Sequence, residues 1–246
     1  MINHKALNSL RQQITIQYDD TAARRDKWIQ NNKYYYGNLL NALTFIVGDE
    51  ANVLQIHCGT GYILNELKPK LGVGVDQSRL QIEIAKTNYP HLSFVHQDLE
   101  DFTLSSNQKF DFILMSHIEY IVDLKAVLDK LHPYCHEHTR IILTYYNYLW
   151  EPLVKAAEKL RIKFPQVFHN WMSEHDIDNF LTLSNYEKVV TRGLILWPFN
   201  IPILSILLNR YIARLPFFRK FSMMRLTVGK TIDTRQQEYS VSVVVP

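Results

Sequence analysis

Cysteine is almost missing from this chain. Two residues in 246, Cys58 and Cys135, are too few for a disulfide framework and have no zinc-ligand spacing, so no metal is expected. Long apolar runs are also missing. The longest, residues 201–208, contains Pro202 and falls far short of the ~20 residues a spanning helix needs. The opening MINHKALNSLRQQITIQYDD alternates apolar and polar residues, which gives the expectation of no signal peptide and a reducing, cytoplasmic setting. Charge of one sign is scarce as well. With 27 Lys+Arg against 24 Asp+Glu the net charge is +3, which argues against the clustered basic face that nucleic acid requires. Glycine is rare too, at eight residues, but half of these fall at Gly59, Gly61, Gly72 and Gly74.

What is present suits a globular protein. The composition is 47% hydrophobic, 12% aromatic and 21% charged, enough for one sizeable core. Residues 1–47 read as helices, with Asp19 and Asp20 placed to cap TAARRDKWIQNNKYYYGNLLNALTFIV and Gly48 to end it. Strand-like runs follow at 52–56, 73–76, 92–98, 110–116 and 140–147, separated by helical stretches. This alternation predicts βαβ units and a parallel sheet covered on both faces. SEHDIDNFLTLS (173–184) reads as a helix capped by Ser173, with Asp176 three residues on. Residues 187–197 and 238–245 read as the sixth and seventh strands.

The glycine cluster carries the chemistry. NVLQI, the turn HCGTG (57–61) and the helical YILNE place a tight turn between a strand and a helix N-terminus, a site for a nucleotide-like ligand. The run lacks the third glycine of a dinucleotide fingerprint and the Lys-Ser/Thr pair of a P-loop, which disfavours NAD and ATP.

VLQIHCGTG resembles the first motif of the class I S-adenosylmethionine-dependent methyltransferases, commonly written V-L-E/D-x-G-C-G-T-G. GVGVDQSRLQIEIAK resembles the second motif, FVHQDLEDF the segment bearing the adenine-side acid, and KFDFILMSHIEYIVDLKAVLDKLHPYC with RIILTYYN the fourth strand, its helix and the fifth strand. The resemblance implies an α/β, Rossmann-like seven-stranded, mostly parallel sheet with helices on both faces, an antiparallel last strand and an N-terminal helical lid. It also implies a single domain, with 1–47 as lid, 48–147 as cofactor-binding core and 148–246 as acceptor-side half.

S-adenosylmethionine is the cofactor so implied. Gly59 and Gly61 lie against its methionine portion, with His57 and Cys58 in the same turn, and Gln55 meets its ammonium. Asp76 accepts from the ribose hydroxyls, Gln77 borders the adenine, Asp98 accepts from the adenine amino group and the Leu99 amide contacts the ring. Ser116 faces the methionine end. Two residues depart from the family pattern: Gln55 replaces an acid and His57 a glycine. Gln55 brings no charge to the ammonium, and a charge-assisted hydrogen bond is roughly twice as strong as a neutral one.

Candidates for acid–base work cluster after the fourth and fifth strands: His117 first, then Tyr120, with Glu119, Tyr145, Tyr146 and His169 nearby. Tyr18, Tyr35 and Tyr36 read as part of the lid or as helical core. Residues 192–230 contain seven Lys/Arg, no Asp or Glu, and six aromatics including Trp197 and Phe217. Two readings stay open for this insertion, given as 199–236: a cap that buries its apolar side internally, or a peripheral membrane contact. WPFNIPILSILLNRYIARLPFFRK and YYNYLWEP loosely resemble a bacterial methyltransferase subgroup found with glycosyltransferases. That resemblance implies a glycan or lipid-linked acceptor and a glycosyltransferase partner. A small-molecule acceptor, a domain without catalysis and an NAD-dependent oxidoreductase are the other readings.

Overall fold

The structure is a computed structural model that describes residues 4–104, 108–160, 163, 166–199, 201 and 203–232. Two helices, α1 (His4–Asn31) and α2 (Lys33–Val47), precede β1 (Asn52–Ile56), α3 (Tyr62–Glu66), β2 (Leu71–Asp76), α4 (Arg79–Asn88), β3 (Ser93–His96) and β4 (Phe110–Ser116). Then follow α5 (Leu124–Leu131), β5 (Cys135–Tyr146), α6 (Glu151–Lys159), α7 (Glu174–Leu183), β6 (Tyr186–Ile195) and β7 (Met224–Thr231). The seven strands form one sheet in the order β3-β2-β1-β4-β5-β7-β6. Only β7 runs antiparallel to its neighbours, β5 and β6.

Alternate residues of each central strand enter opposite core layers, which is why the strands read as continuous apolar runs. Leu54, Ile56, Ile113, Met115 and Leu143 pack with α5 and α7, while Val53, Leu114 and Ile142 pack with α2, α3 and α4. Most of these side chains are wholly buried, and each such burial is worth about 1.5–3 kcal/mol. Ser78 caps α4 by accepting from the Gln81 amide, and Asp123 caps α5 through the Ala126 amide. Ser173 and Asp176 close the expected capping box on α7, with both reciprocal bonds present.

Three sequence expectations change. The strand placed at 238–245 lies outside the described residues, and the seventh strand is Met224–Thr231. Arg225 and Lys230 of this strand each have a carboxylate beside them, Glu174 at 2.6 Å and Glu187 at 3.0 Å. The insertion between the last two strands is therefore 196–223, shorter than 199–236. Asp19 and Asp20 also begin no helix, because α1 runs straight through them. Asp19 instead caps α4 from outside, accepting from the Ser78 hydroxyl at 2.6 Å and the Leu80 amide at 3.1 Å.

Candidate active site

The strand order reverses between β1 and β4, where the chain leaves β1 toward β2 and later returns to its other side. The crevice beyond the carboxyl ends of strands at such a point is where open α/β sheets bind ligands. Here a histidine follows each strand, and both are left-handed: His57 at φ 59° and His117 at φ 57°. The His57 Nδ1 lies 3.3 Å from the Ser116 carbonyl, and the His117 amide donates to the Thr144 hydroxyl at 3.2 Å.

The glycine turn holds its shape through its own backbone and through α1. Gly59 and Gly61 have φ of 58° and 80°. A Cβ at Gly61 would sit 2.6 Å from the Phe94 ring, so glycine is required there for space as well as for conformation. Asp76 accepts from the Gly59 amide at 2.8 Å and the Ser78 amide at 2.9 Å, joining the turn to the end of β2. Asp26 on α1 accepts from the Thr60 hydroxyl at 2.6 Å and from the Asn88 side chain at 3.0 Å. The Tyr18 carbonyl accepts from Gln81. α1 thus lies over α4 and is fastened at both ends of that helix.

A cavity of about 430 Å³ opens beside these elements. Its floor is Gln55, His57, Cys58, Gly59, Ser116 and His117. Its walls are Tyr18, Arg24, Arg25 and Trp28 of α1, Tyr35 and Tyr36 of α2, Tyr120, Tyr146, Trp150, α6, Lys163 and 197–199. No carboxylate is among the described residues lining it, against three cations. Arg25 forms no ion pair among the described residues; surrounding tyrosines, Tyr36 first, raise its pKa. Three buried polar atoms on lining residues, Gln55 Oε1, the Tyr18 hydroxyl and Trp197 Nε1, have no hydrogen-bond partner among the described residues. Leaving such a group unpaired costs about 1–3 kcal/mol, the usual sign of a site that a ligand completes.

His117 is the best-placed proton acceptor. Its Nδ1 lies 3.2 Å from Oε1 of Glu119, a buried carboxylate whose other oxygen accepts from the Tyr146 amide at 3.4 Å. That bond fixes the ring and leaves Nε2 without a partner among the described residues. Tyr120 stacks on the His117 ring at 5.9 Å and carries Lys163 Nζ 5.7 Å from its own ring centre. Burial raises the Tyr120 pKa well above the ordinary phenol value, so it keeps its proton and serves as donor or wall. Burial likewise raises Tyr146 and Tyr35, whose hydroxyl donates to Met224 Sδ at 3.3 Å. It lowers His57 against the opposing pull of Asp76, and lowers Lys163 against its partner Glu158. The Cys58 thiol is pushed well up by burial and stays protonated.

Of the sequence candidates, Gln55, His57, Cys58, Gly59, Ser116, His117 and Tyr120 meet at the cavity. Gly61 stands just behind, at the start of α3. Asp76, Gln77, Asp98 and Leu99 do not line it. Asp76 is wholly buried beneath the Asp19–Ser78 contact, Asp98 accepts from the Glu100 amide at 2.8 Å, and Leu99 is in the core. Tyr145 turns to the opposite layer and bonds Thr227, whereas His169 lies outside the lining residues, stacked on Trp171. Sequence reading missed Arg25, Asp26, Gln81 and Lys163. The first had a signal: Arg25 interrupts an otherwise buried stripe of Ile14, Tyr18, Ala22 and Ile29 at helical spacing.

A glycine turn between β1 and α3, a switch point at β1/β4 and an antiparallel seventh strand define a Rossmann-like methyltransferase. The model of the family described as Methyltransferase domain matches residues 26–191, and the chain belongs to that family, whose class I members use S-adenosylmethionine as cofactor. Solved structures agree on the fold. An S-adenosylmethionine-dependent methyltransferase from Thermotoga maritima is 16% identical with a TM-score of 0.67, over 87% of this chain and 98% of that one. One from Clostridium acetobutylicum is 16% identical at 0.55, over 87% and 98%. Magnesium protoporphyrin IX methyltransferase from Synechocystis PCC 6803, solved with bound SAH, is 14% identical at 0.58, over 89% and 99%. No curated protein matches the sequence.

Proposed function

We propose that the protein moves a methyl group to an acceptor seated in the cavity, with His117 receiving the acceptor's proton. The unpaired His117 Nε2, held by Glu119 at the floor, is the observation that carries this reading. Bound S-adenosylmethionine supplies a methyl carbon made electrophilic by its sulfonium. The residues fit that group at the methionine end: Gln55 Oε1 offers an unused acceptor for the ammonium, the left-handed Gly59 exposes backbone, and Ser116 borders the same floor. At the adenosine end, Asp76, Gln77, Asp98 and Leu99 serve once α1 lifts from Ser78.

His117 then acts on the acceptor's O–H or N–H. Its Nε2 would take the acceptor's proton while the acceptor's lone pair displaces the sulfur from the methyl carbon, the C–S electrons leaving with S-adenosylhomocysteine, and Glu119 would steady the imidazolium. α1, α6 and residues 197–199 exclude water. The lining also describes the acceptor. Arg25, which has no ion pair among the described residues, together with many aromatic rings and no lining carboxylate, suits a small-molecule, glycan or lipid-linked acceptor with an anionic group beside an apolar or planar body.

Calorimetric titration with S-adenosylmethionine and S-adenosylhomocysteine is the first test; no heat at millimolar ligand ends the enzyme reading. The second follows tritium from labelled cofactor into an acceptor pool with Glu119→Gln. Transfer is expected to fall about 10²-fold, because a base held by a neutral orienter lacks the carboxylate that steadies its cation. A binding module without turnover is the rival, favoured by the sealing of Asp76 under α1. It predicts cofactor heat with no transfer under any pH.

A further inference from the structure

Residues 197–223 are turned inside out. Ten of the twenty large apolar side chains exposed among the described residues lie in 199–221, including Ile203 at 81%, Phe217 at 66% and Tyr211 at 60%. Its uncharged polar residues Ser205, Asn209 and Ser222 face inward, whereas Lys220 is exposed. Ser205 and Ser222 are buried, and Ser205 bonds the Phe199 carbonyl and the Ile201 amide. Asn209 accepts from the Leu196 and Trp197 amides and donates to the Trp197 carbonyl and to Tyr34 of α2. Asn147 donates to the Lys220 and Ser222 carbonyls, and Trp150 to that of Phe221. A segment that served only as a cap would bury these apolar side chains, whereas here its Trp197–Phe199 end lies over the cavity and most of the rest faces outward.

We infer that this face docks on an anionic membrane surface. Three observations select that partner. The exposed apolar area is on the order of 600 Å² or more, at or above the largest patch of an ordinary monomer. Asn147 and Trp150 hold the Lys220, Ser222 and Phe221 carbonyls, so this part of the segment's backbone is paired within the protein while its apolar side chains face out. Residues 199–223 contain Arg210, Arg214, Arg219 and Lys220 and no Asp or Glu, which complements an anionic leaflet. No described helix is long and apolar enough to cross a membrane, so the contact is peripheral. Trp197 and Phe199 of the same segment form part of the cavity wall, which places the acceptor's entrance beside the lipid.

The test is co-sedimentation of the full chain with vesicles containing about one-third phosphatidylglycerol in phosphatidylcholine, against pure phosphatidylcholine. The wild-type protein is expected to pellet with the first and far less with the second. The double variant Phe217→Ser, Phe221→Ser is expected to lose at least about tenfold in partitioning with an unchanged melting temperature, because both side chains are substantially exposed. Protein left in the supernatant with both vesicles overturns the inference. So does pelleting that ignores the double substitution, or a concentration-dependent dimer that the substitution abolishes, since a second copy would then cover the face. Titrating the same variants with S-adenosylmethionine keeps the two readings apart: lipid binding lost with cofactor binding intact counts for the docking face alone.

Discussion

Replacing Gln55 with glutamate tests the cofactor pocket at its most unusual residue. Gln55 is 1% exposed, its Nε2 reaches the Ser116 hydroxyl only at 3.5 Å, and its Oε1 has no partner among the described residues. A neutral hydrogen bond to the cofactor ammonium nets about 0.5–1.5 kcal/mol and a charge-assisted one about 1.5–3. Gln55→Glu should therefore tighten S-adenosylmethionine by about 1 kcal/mol, roughly fivefold in Kd. The empty protein should respond in the opposite sense. A buried carboxylate with no partner costs at least about 1–3 kcal/mol, so the cofactor-free melting temperature should fall by about 3 °C or more. Saturating cofactor should recover most of that loss. Isothermal calorimetry and paired thermal melts read both effects. An unchanged or weaker Kd, or a melting temperature indifferent to the substitution, would refute the placement of Gln55 against the ammonium.

Other outcomes follow from the same geometry. Gly61→Ala should cost about 2–4 kcal/mol in urea unfolding, combining a left-handed φ of 80° with the 2.6 Å approach to Phe94; a loss below about 1 kcal/mol would contradict it. Asp19→Ala removes the Ser78 and Leu80 contacts that hold α1 down, so cofactor association followed by tryptophan fluorescence should quicken severalfold, and an unchanged rate would mean α1 does not gate the site. His57 has its folded pKa lowered below 6.5 by burial, so its neutral form favours the fold above that pH. That contribution is lost as the pH falls from 6.5 through the folded value, because the unfolded chain binds the proton more readily. His57→Gly should shrink the drop in urea midpoint between about pH 7.5 and 5, and an equal drop in the variant would exclude His57 as a source.

The strands and their flanking helices were legible because both faces of the sheet are covered. A run such as FDFILMS reads as a strand only when alternate residues enter two separate cores, and here they do. The floor of the site was legible for a related reason: strand ends and the glycine turn are local in sequence. The walls were not. Arg25 left a trace as the polar break in a helically spaced apolar stripe, but Asp26 and Lys163 reach the site by packing between segments distant in the chain, a relation no local pattern encodes. The strand at Met224–Thr231 was not read from the sequence, which took the whole stretch as insertion; its Arg225 and Lys230 are held by Glu174 and Glu187 across elements. His57 is instructive in both directions. The sequence marked it as replacing a glycine, and the structure supplies the reason glycine suits that position: the residue ending β1 must adopt φ near 59°. Histidine is among the residues that tolerate this region, at some strain.

The division of the cavity into floor and walls has an evolutionary consequence. The floor is made of strand ends that cannot move without disturbing the sheet. Most of the walls belong to α1, α6 and 197–199, and α1 is tied to the glycine turn through Asp26 and Thr60. Changes in α6 and 197–199 can therefore reshape the cavity while the turn and β1 to β5 stay as they are.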